Sequence, residues 1–199
     1  MLFSFEQKPI IMKCTSCKTG DLQPGYLDDL FPAHNCNHCG GSYVMLDDYL
    51  KWLEYAKPQD LNDPLVSVEA VADEAEDTKR AMLCPVYGTI MLKYRISKDS
   101  SHRIDINPAT NGIWIDKGEW ALIKAQGLAG SLNKIFTVPW QKEIKEQNAK
   151  DVLENKYLEQ FGEQDYNQVK QMRQWLDKHP QRNLLVAYLA AKEPYSAIR

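Results

Sequence analysis

The sequence predicts an α+β protein: a small β ribbon closed by cysteines, a degenerate second ribbon without them, a helix after each, and a C-terminal helical tail. Three observations lead there. Four of the five cysteines form two Cys-x-x-Cys pairs, the pattern recurs in decayed form further along, and beyond Pro139 the apolar period becomes helical. The expected segments are 12–57, 58–78, 79–137 and 138–199. The 199 residues are 44% hydrophobic and 26% charged. No apolar run approaches the roughly 18 residues that a membrane span needs. Met1 to Ile11 carry Glu6 and Lys8 and lack a basic start and a small-residue cleavage site, so a cytoplasmic chain is expected.

The first ribbon rests on Cys14-Thr15-Ser16-Cys17 and Cys36-Asn37-His38-Cys39, 18 residues apart. Each pair can fold into a tight knuckle that aims two sulfurs at one ion, and two knuckles complete a tetrahedron with metal–sulfur distances near roughly 2.3 Å. Gly20, Gly40 and Gly41 let the backbone turn its N–H groups toward the thiolates. Disulfides suit a secreted chain, and a redox Cys-x-x-Cys opens a helix after a strand; neither context is present. The expectation is one structural metal ion on Cys14, Cys17, Cys36 and Cys39, Zn²⁺ first and iron second, because thiolate tetrahedra accept both. Four thiolates leave no open coordination position, which argues against hydrolysis by metal-bound water. His34 and His38 are alternative ligands, although His38 sits between the sulfurs of its knuckle and should face solvent. Lys13 or Lys18 should offset the thiolate charge.

About seventy residues on, Cys84-Pro85-Val86-Tyr87 aligns with the first knuckle. Asn107-Pro108-Ala109-Thr110-Asn111-Gly112-Ile113-Trp114 aligns with Cys36 through Tyr43. Three of four ligand positions have become Tyr87, Asn107 and Thr110, so this copy should fold without metal. Its hairpin core is expected from Tyr87, Ile90, Leu92, Tyr94, Ile96, Ile104, Ile106 and Trp114, with Cys84 as a small buried apolar residue. A mixed site of Cys84, His102 and Asp105 is the alternative.

In these residues the chain resembles the TFIIB-type zinc-ribbon family of bacterial proteins, whose signature is two knuckles followed by a Gly-Gly-x-Trp-Leu-Asp-x-Gly-Glu stretch. The first copy carries the ligands with Gly40 and Gly41 but has Met45 where the family has Asp. The second lacks the ligands and keeps the tail, Gly112-Ile113-Trp114-Ile115-Asp116-Lys117-Gly118-Glu119. The resemblance covers roughly residues 12 to 125 and implies a zinc-ribbon fold. A shared ribbon does not by itself transfer a role in transcription.

After each ribbon a helix is expected. Ser42 to Leu46 reads as a strand and Asp47 to Lys57 as a helix with Leu50 and Leu53 as an i,i+3 pair, stopped by Pro58. Ile113 to Ile115 reads as a strand. Asp116 with Glu119 has the form of an N-cap and its reciprocal partner, and Gly127 ends that helix. The linker, residues 58–78, has seven acids and no base. It is expected to be solvated, with a short helix at Val68 to Ala75, and it could lie across the second ribbon, whose segment 79–133 has a charge of +4. In the tail, Pro139 opens a helix with Trp140, Ile144, Val152, Leu153, Tyr157 and Phe161 on one stripe. Asp165 caps a second with Tyr166, Val169, Met172 and Leu176, and a third runs from Pro180 through Leu189. Arg173, Lys178, His179 and Arg182 gather at the last junction, either as a site for phosphate or an acidic peptide or as an ordinary solvated turn.

Function is bounded more loosely. A pI near 5.8 disfavours nonspecific binding to duplex DNA. No nucleophile elbow, phosphate loop or open metal site is present, so no enzyme is expected. The leading expectation is a zinc-binding, non-catalytic adaptor or regulator acting on a protein or nucleoprotein assembly such as the transcription machinery. Single-stranded nucleic acid or RNA binding through Lys93, Arg95, Lys98 and Arg103, interleaved with Tyr94 and His102, is the alternative. Thiol redox chemistry is the remote one.

Overall fold

A computed structural model describes residues 12–61 and 67–195. The reading of Met1 to Ile11 as lacking a leader lies outside these residues, as does part of the acidic linker. The chain divides into two compact units, the first ending at Glu146 and the second beginning at Gln147. Both ribbons and the linker thus belong to one unit rather than three.

Strands β1 (Met12–Lys13), β2 (Asp21–Leu27), β3 (Phe31–Cys36) and β4 (Ser42–Met45) form an antiparallel meander. Helix α1 (Leu46–Leu53) follows, then α2 (Pro58–Leu61) and α3 (Val68–Glu74) in the linker. A second meander, β5 (Leu92–Arg95), β6 (Arg103–Asn107) and β7 (Gly112–Ile115), leads to α4 (Glu119–Ala125). The two meanders join edge to edge through β4 and β7 into one seven-stranded sheet of order β1-β2-β3-β4-β7-β6-β5. A 3-10 turn (Ala129–Ser131) and α5 (Leu132–Ile135) precede α6 (Val138–Phe161), with α7 (Glu163–Asp177) and α8 (Arg182–Ala190) last.

The central seam is pseudo-symmetric. Ser42 pairs with Ile115, Val44 with Ile113 and Tyr43 with Trp114, so aligned positions exchange partners as they do across a two-fold interface. Two glycines make it fit. A Cβ at Gly41 would lie 2.4 Å from the Trp114 ring, and one at Gly112 would lie 1.9 Å from the Tyr43 hydroxyl. Each meander therefore lays its aromatic ring over the glycine of the other. The glycines serve this close approach, beyond the turning role that the sequence suggested for Gly41.

On one face lies an aromatic core of Phe31, Tyr49, Trp52 and Trp120, with Phe31 in edge contact with Tyr49 and Trp120 at 5.8 and 5.4 Å. Tyr49 and Trp52 carry the buried face of α1, whereas Leu50 is exposed, so the expected Leu50 and Leu53 pair is not the anchor. The helix stops at Leu53, and Pro58 opens α2. Tyr49 donates its hydroxyl proton to the Ala129 carbonyl (2.8 Å) and accepts from the Leu132 N–H (3.2 Å), which ties α1 to the turn after α4. Helix α4 closes as expected: Gly127 at φ +68° completes a Schellman turn, with Leu128 N–H on the Ile123 carbonyl and Gly127 N–H on Lys124.

The linker departs from expectation. Val68, Val71 and Ala72 of α3 and Leu61 of α2 pack on the aromatic core, so apolar positions spaced along an acidic segment hold it down. Asp116 also differs. It does not cap α4, whose N-cap is Gly118; only the reciprocal arm forms, from Asp116 N–H to Glu119 Oε2 at 2.8 Å. Its carboxylate instead accepts from Trp114 Nε1 (2.7 Å), Thr78 N–H (2.6 Å) and the Thr78 hydroxyl (3.0 Å). Thr78 then accepts from Ser16 of the first knuckle at 3.1 Å, so the end of the linker clamps both ribbons.

In the second ribbon, Ile96, Ile104, Ile106 and Trp114 are buried, but Tyr87, Ile90 and Leu92 are exposed. Strand β6 is buried on both faces, and Leu92 is exposed although it pairs with Ile106, because β5 is the edge strand; Tyr87 and Ile90 belong to the knuckle and the segment after it. In the second unit, Leu176 is buried, while Val169, Met172 and Trp175 on α7 and Leu184 and Leu189 on α8 stay exposed. Gly162, not Asp165, is the N-cap of α7. At the last junction Asp177 takes Arg182 at 2.9 Å and lies 4.0 Å from Arg173, and the His179 ring accepts from the Gln181 N–H, so one carboxylate offsets part of the cationic cluster.

Candidate metal centre

The first ribbon folds its knuckles from backbone geometry that recurs four times. Each turn closes with an N–H donated to the carbonyl four residues back, and its fifth residue is left-handed: Lys18 (φ +64°) and Gly40 (φ +72°) in the first ribbon, Gly88 (φ +67°) and Asn111 (φ +57°) in the second. Only glycine and asparagine adopt that region at low cost, so Lys18 is held there by its surroundings.

Cys14, Cys17, Cys36 and Cys39 present their sulfurs within 4.8 Å of one another. The Cys14–Cys39 and Cys17–Cys36 sulfurs are 3.8 and 3.7 Å apart. A tetrahedron with metal–sulfur bonds of about 2.3 Å has edges of about 3.8 Å, so the set is already spaced for zinc. No thiol hydrogen bond is needed to explain it. Amide donors surround the sulfurs: Cys17 N–H to Cys14, Gly20 N–H to Cys17, and His38 and Cys39 N–H to Cys36, all at 3.3 to 3.4 Å. Gly20 must be glycine here, because a Cβ would come within 2.4 Å of the Cys36 sulfur.

Electrostatics call for a cation in the middle. Burial pushes the Cys14 thiol up to about 11 and the Cys39 thiol higher still. Cys17 loses less water; against that penalty, hydrogen bonds from Thr19 and Gly20 draw it down to about 5. Without a cation the thiolates oppose each other; a bound divalent ion stabilises all four. The four cysteines therefore cluster to bind one zinc ion.

Other expected participants fall away. His38 is exposed on its knuckle, His34 lies on β3, and neither joins the sulfur cluster. Lys13 is paired with Asp21 at 2.6 Å, so the offsetting donors are amides. Cys84, His102 and Asp105 do not form a site. Cys84 is fully buried and 3.4 Å from the Tyr43 hydroxyl, the His102 Nε2–H donates to the Ala72 carbonyl at 3.1 Å, and Asp105 takes Lys93 at 2.7 Å.

Sequence reasoning missed a carboxylate cluster of Asp77, Asp116 and Glu119. It joins the linker to the start of α4, and no local motif signals it because its members lie up to 42 positions apart. Burial, then repulsion from Asp116 and Asp77, raises the Glu119 carboxyl well above the usual range. Lys79 pairs with Asp77 at 2.5 Å. Lys79 and the donors on Asp116 offset part of this charge, and the raised Glu119 carboxyl favours its neutral form.

Residues 13–55 match a TFIIB-type zinc-ribbon family model described as a transcription factor zinc-finger. The matched segment holds all four cysteine ligands. No curated protein and no solved structure matches the chain. Among the described residues, no helix is long and apolar enough to cross a membrane.

Proposed function

We propose that the chain is a non-catalytic, cytoplasmic adaptor or regulator whose zinc-held ribbon presents a rigid surface to a protein or nucleoprotein assembly, the transcription machinery being the first candidate. The observation that carries this is the closed four-cysteine centre: it spends every coordination position on holding the fold. A metal-locked hairpin keeps its exposed loops ordered, which lowers the entropic cost of docking. The second ribbon is a duplicated copy that has lost its ion. Support comes from the repeated left-handed knuckle positions and the reciprocal glycine and aromatic pairs.

RNA binding through the second ribbon has less behind it. Lys93 is committed to buried Asp105, and the Arg95 guanidinium donates to the Ser100 carbonyl at 2.6 Å. The Tyr94 ring meets Phe136 edge-on at 5.5 Å, so stacking on a base would cost that contact. Thiol redox chemistry has less behind it too, because four of the five cysteines gather around one metal position and the fifth, Cys84, is fully buried.

The test is crosslinking and affinity capture of the zinc-loaded chain from native cells, with Cys36→Ser as control. A partner recovered by the wild type and absent with the variant supports the adaptor; recovery of only the chain itself overturns it.

A further inference from the structure

A second cluster of ligating groups lies away from the cysteines, where the end of the linker meets the second ribbon and α4. Asp77, Asp116 and Glu119 each offer a carboxylate oxygen, and the three atoms lie within 4.8 Å of one another. Oxygens hold divalent ions at about 2.0–2.6 Å, so two on opposite sides of one ion stand about 4–5 Å apart. Acids alone make no site, because a lysine or a retained proton can balance them. Lys79 does balance part of Asp77, through Oδ2 at 2.5 Å.

What points to a ligand is a set of bare lone pairs. Glu119 Oε1 and Asp77 Oδ1 are buried with no hydrogen-bond partner among the described residues, on side chains only 1% and 5% exposed. His102 adds a third. Its Nε2–H donates to the Ala72 carbonyl at 3.1 Å, which leaves Nδ1 as an acceptor, buried and equally unpartnered. Nδ1 faces Glu119 Oε1 at 4.0 Å. Two acceptors that face each other repel, and the gap is too long for a hydrogen bond but spans two ligands of one ion with bonds of about 2.1 Å. A backbone carbonyl on the far nitrogen is the usual device that fixes the ring of a ligating histidine. Asp116 takes two donors on Oδ1 and one on Oδ2, so Oδ2 keeps a lone pair. Charge agrees, since a divalent ion together with Lys79 neutralises the three carboxylates.

We propose that Asp77, Asp116, Glu119 and His102 form a second metal site, for a divalent transition-metal ion that accepts both carboxylate and imidazole. The ion cross-links the linker, the residue before β6 and the first residue of α4, beside the Thr78 clamp. The second ribbon, without ligands at its knuckles, is then tied by metal at a different place. Lys79 is 72% exposed, so its release from Asp77 opens the way in.

Mn²⁺ titration of the zinc-loaded full chain, read from the electron paramagnetic resonance of free Mn²⁺, tests it. Four thiolates favour zinc strongly over Mn²⁺, so the sulfur centre stays filled. Saturable uptake of one Mn²⁺ per chain is expected, with a rise in thermal midpoint. Glu119→Gln and His102→Ala should each weaken uptake about tenfold or more and cancel the rise. Glu119→Gln keeps the side chain's shape, and without added Mn²⁺ it should unfold no lower than the wild type, which separates lost uptake from lost folding. In the wild type, bound Mn²⁺ should broaden the ring NMR signals of His102 before those of the other three histidines. No saturable uptake, uptake indifferent to either substitution, or broadening that starts at another histidine overturns the proposal. The adaptor reading survives that failure, because it rests on the cysteines.

Discussion

The two ribbons share a backbone and differ in what holds it. In the first, four sulfurs spaced for one ion join the knuckles. In the second, side-chain hydrogen bonds do part of that work. Asn107, at the position of Cys36, accepts from the Ala109 N–H at 3.0 Å as Cys36 accepts from His38. Its NH2 then donates to Thr89 in the facing knuckle at 3.0 Å. A carboxamide thus makes the same local bond as the Cys36 sulfur, and a single hydrogen bond joins the knuckles of the second ribbon where four sulfurs gather in the first. The expectation that apolar packing alone sustains this ribbon was incomplete. The difference teaches that this knuckle is a backbone shape first, and that the same shape forms without cysteine ligands where another linkage and a shared core are present. That core is common property, since Cys14, Cys36, Tyr43, Cys84 and Trp114 belong to one buried cluster.

The comparison is broken most directly by removing the metal. Zinc contributes on the order of 10–16 kcal/mol of apparent binding energy in isolated fingers, so a strong chelator or Cys36→Ser should unfold the first ribbon, seen as a large drop in thermal midpoint. Cys84→Ser should cost about 1 kcal/mol or less than a core truncation, because a hydroxyl fits there beside Tyr43. Equal losses from the two substitutions would refute the division of labour.

The seam makes a symmetric demand. Gly41→Ala and Gly112→Ala should each destabilise by about 1–3 kcal/mol or more in urea titrations, through the ring that each would meet. If only one is harmful, the reciprocal packing is not what joins the meanders. Asn107→Ala should cost about 1–3 kcal/mol by leaving Thr89 and the Ala109 N–H without their partner.

The smallest effect is in the pH dependence. Burial raises the Asp105 carboxyl from its ordinary value of 3.8 to about 6, with Lys93 opposing, and raises Glu119 well above its own. Above their unfolded values the unfolded chain releases these protons and the folded chain keeps them. Stability therefore falls as pH rises, between about 4 and 6 for Asp105 and, for Glu119, from the ordinary glutamate value up to its raised one. Glu119→Gln should flatten the slope and stabilise the protein at pH above the ordinary glutamate range, read from urea midpoints. An unchanged slope would place the retained proton elsewhere.

The metal ligands were legible in the sequence because Cys-x-x-Cys fixes a turn, and a turn is a local object. The same holds for the strand of Ile113 to Ile115, the stop at Gly127 and the short helix in the linker. Local patterns failed where two readings of one residue compete. Asp116 looks like a helix cap and serves Trp114 and Thr78 instead, because a buried indole N–H and a clamped linker offer it stronger donors than the first turn of α4. Leu50 looks like core and is displaced by Tyr49 and Trp52, whose larger area the aromatic cluster rewards.

Sequence by itself determined the zinc ligands, the presence of two ribbon-like segments and the helical character of the tail. All of these depend on spacing within a few residues. Tertiary structure alone decided that the ribbons fuse into one sheet, that an acidic linker packs on the core, and that Asp77 joins Asp116 and Glu119 in one carboxylate cluster. Those outcomes arise from residues far apart in the chain, where shape complementarity and the cost of unpaired polar groups choose the partner.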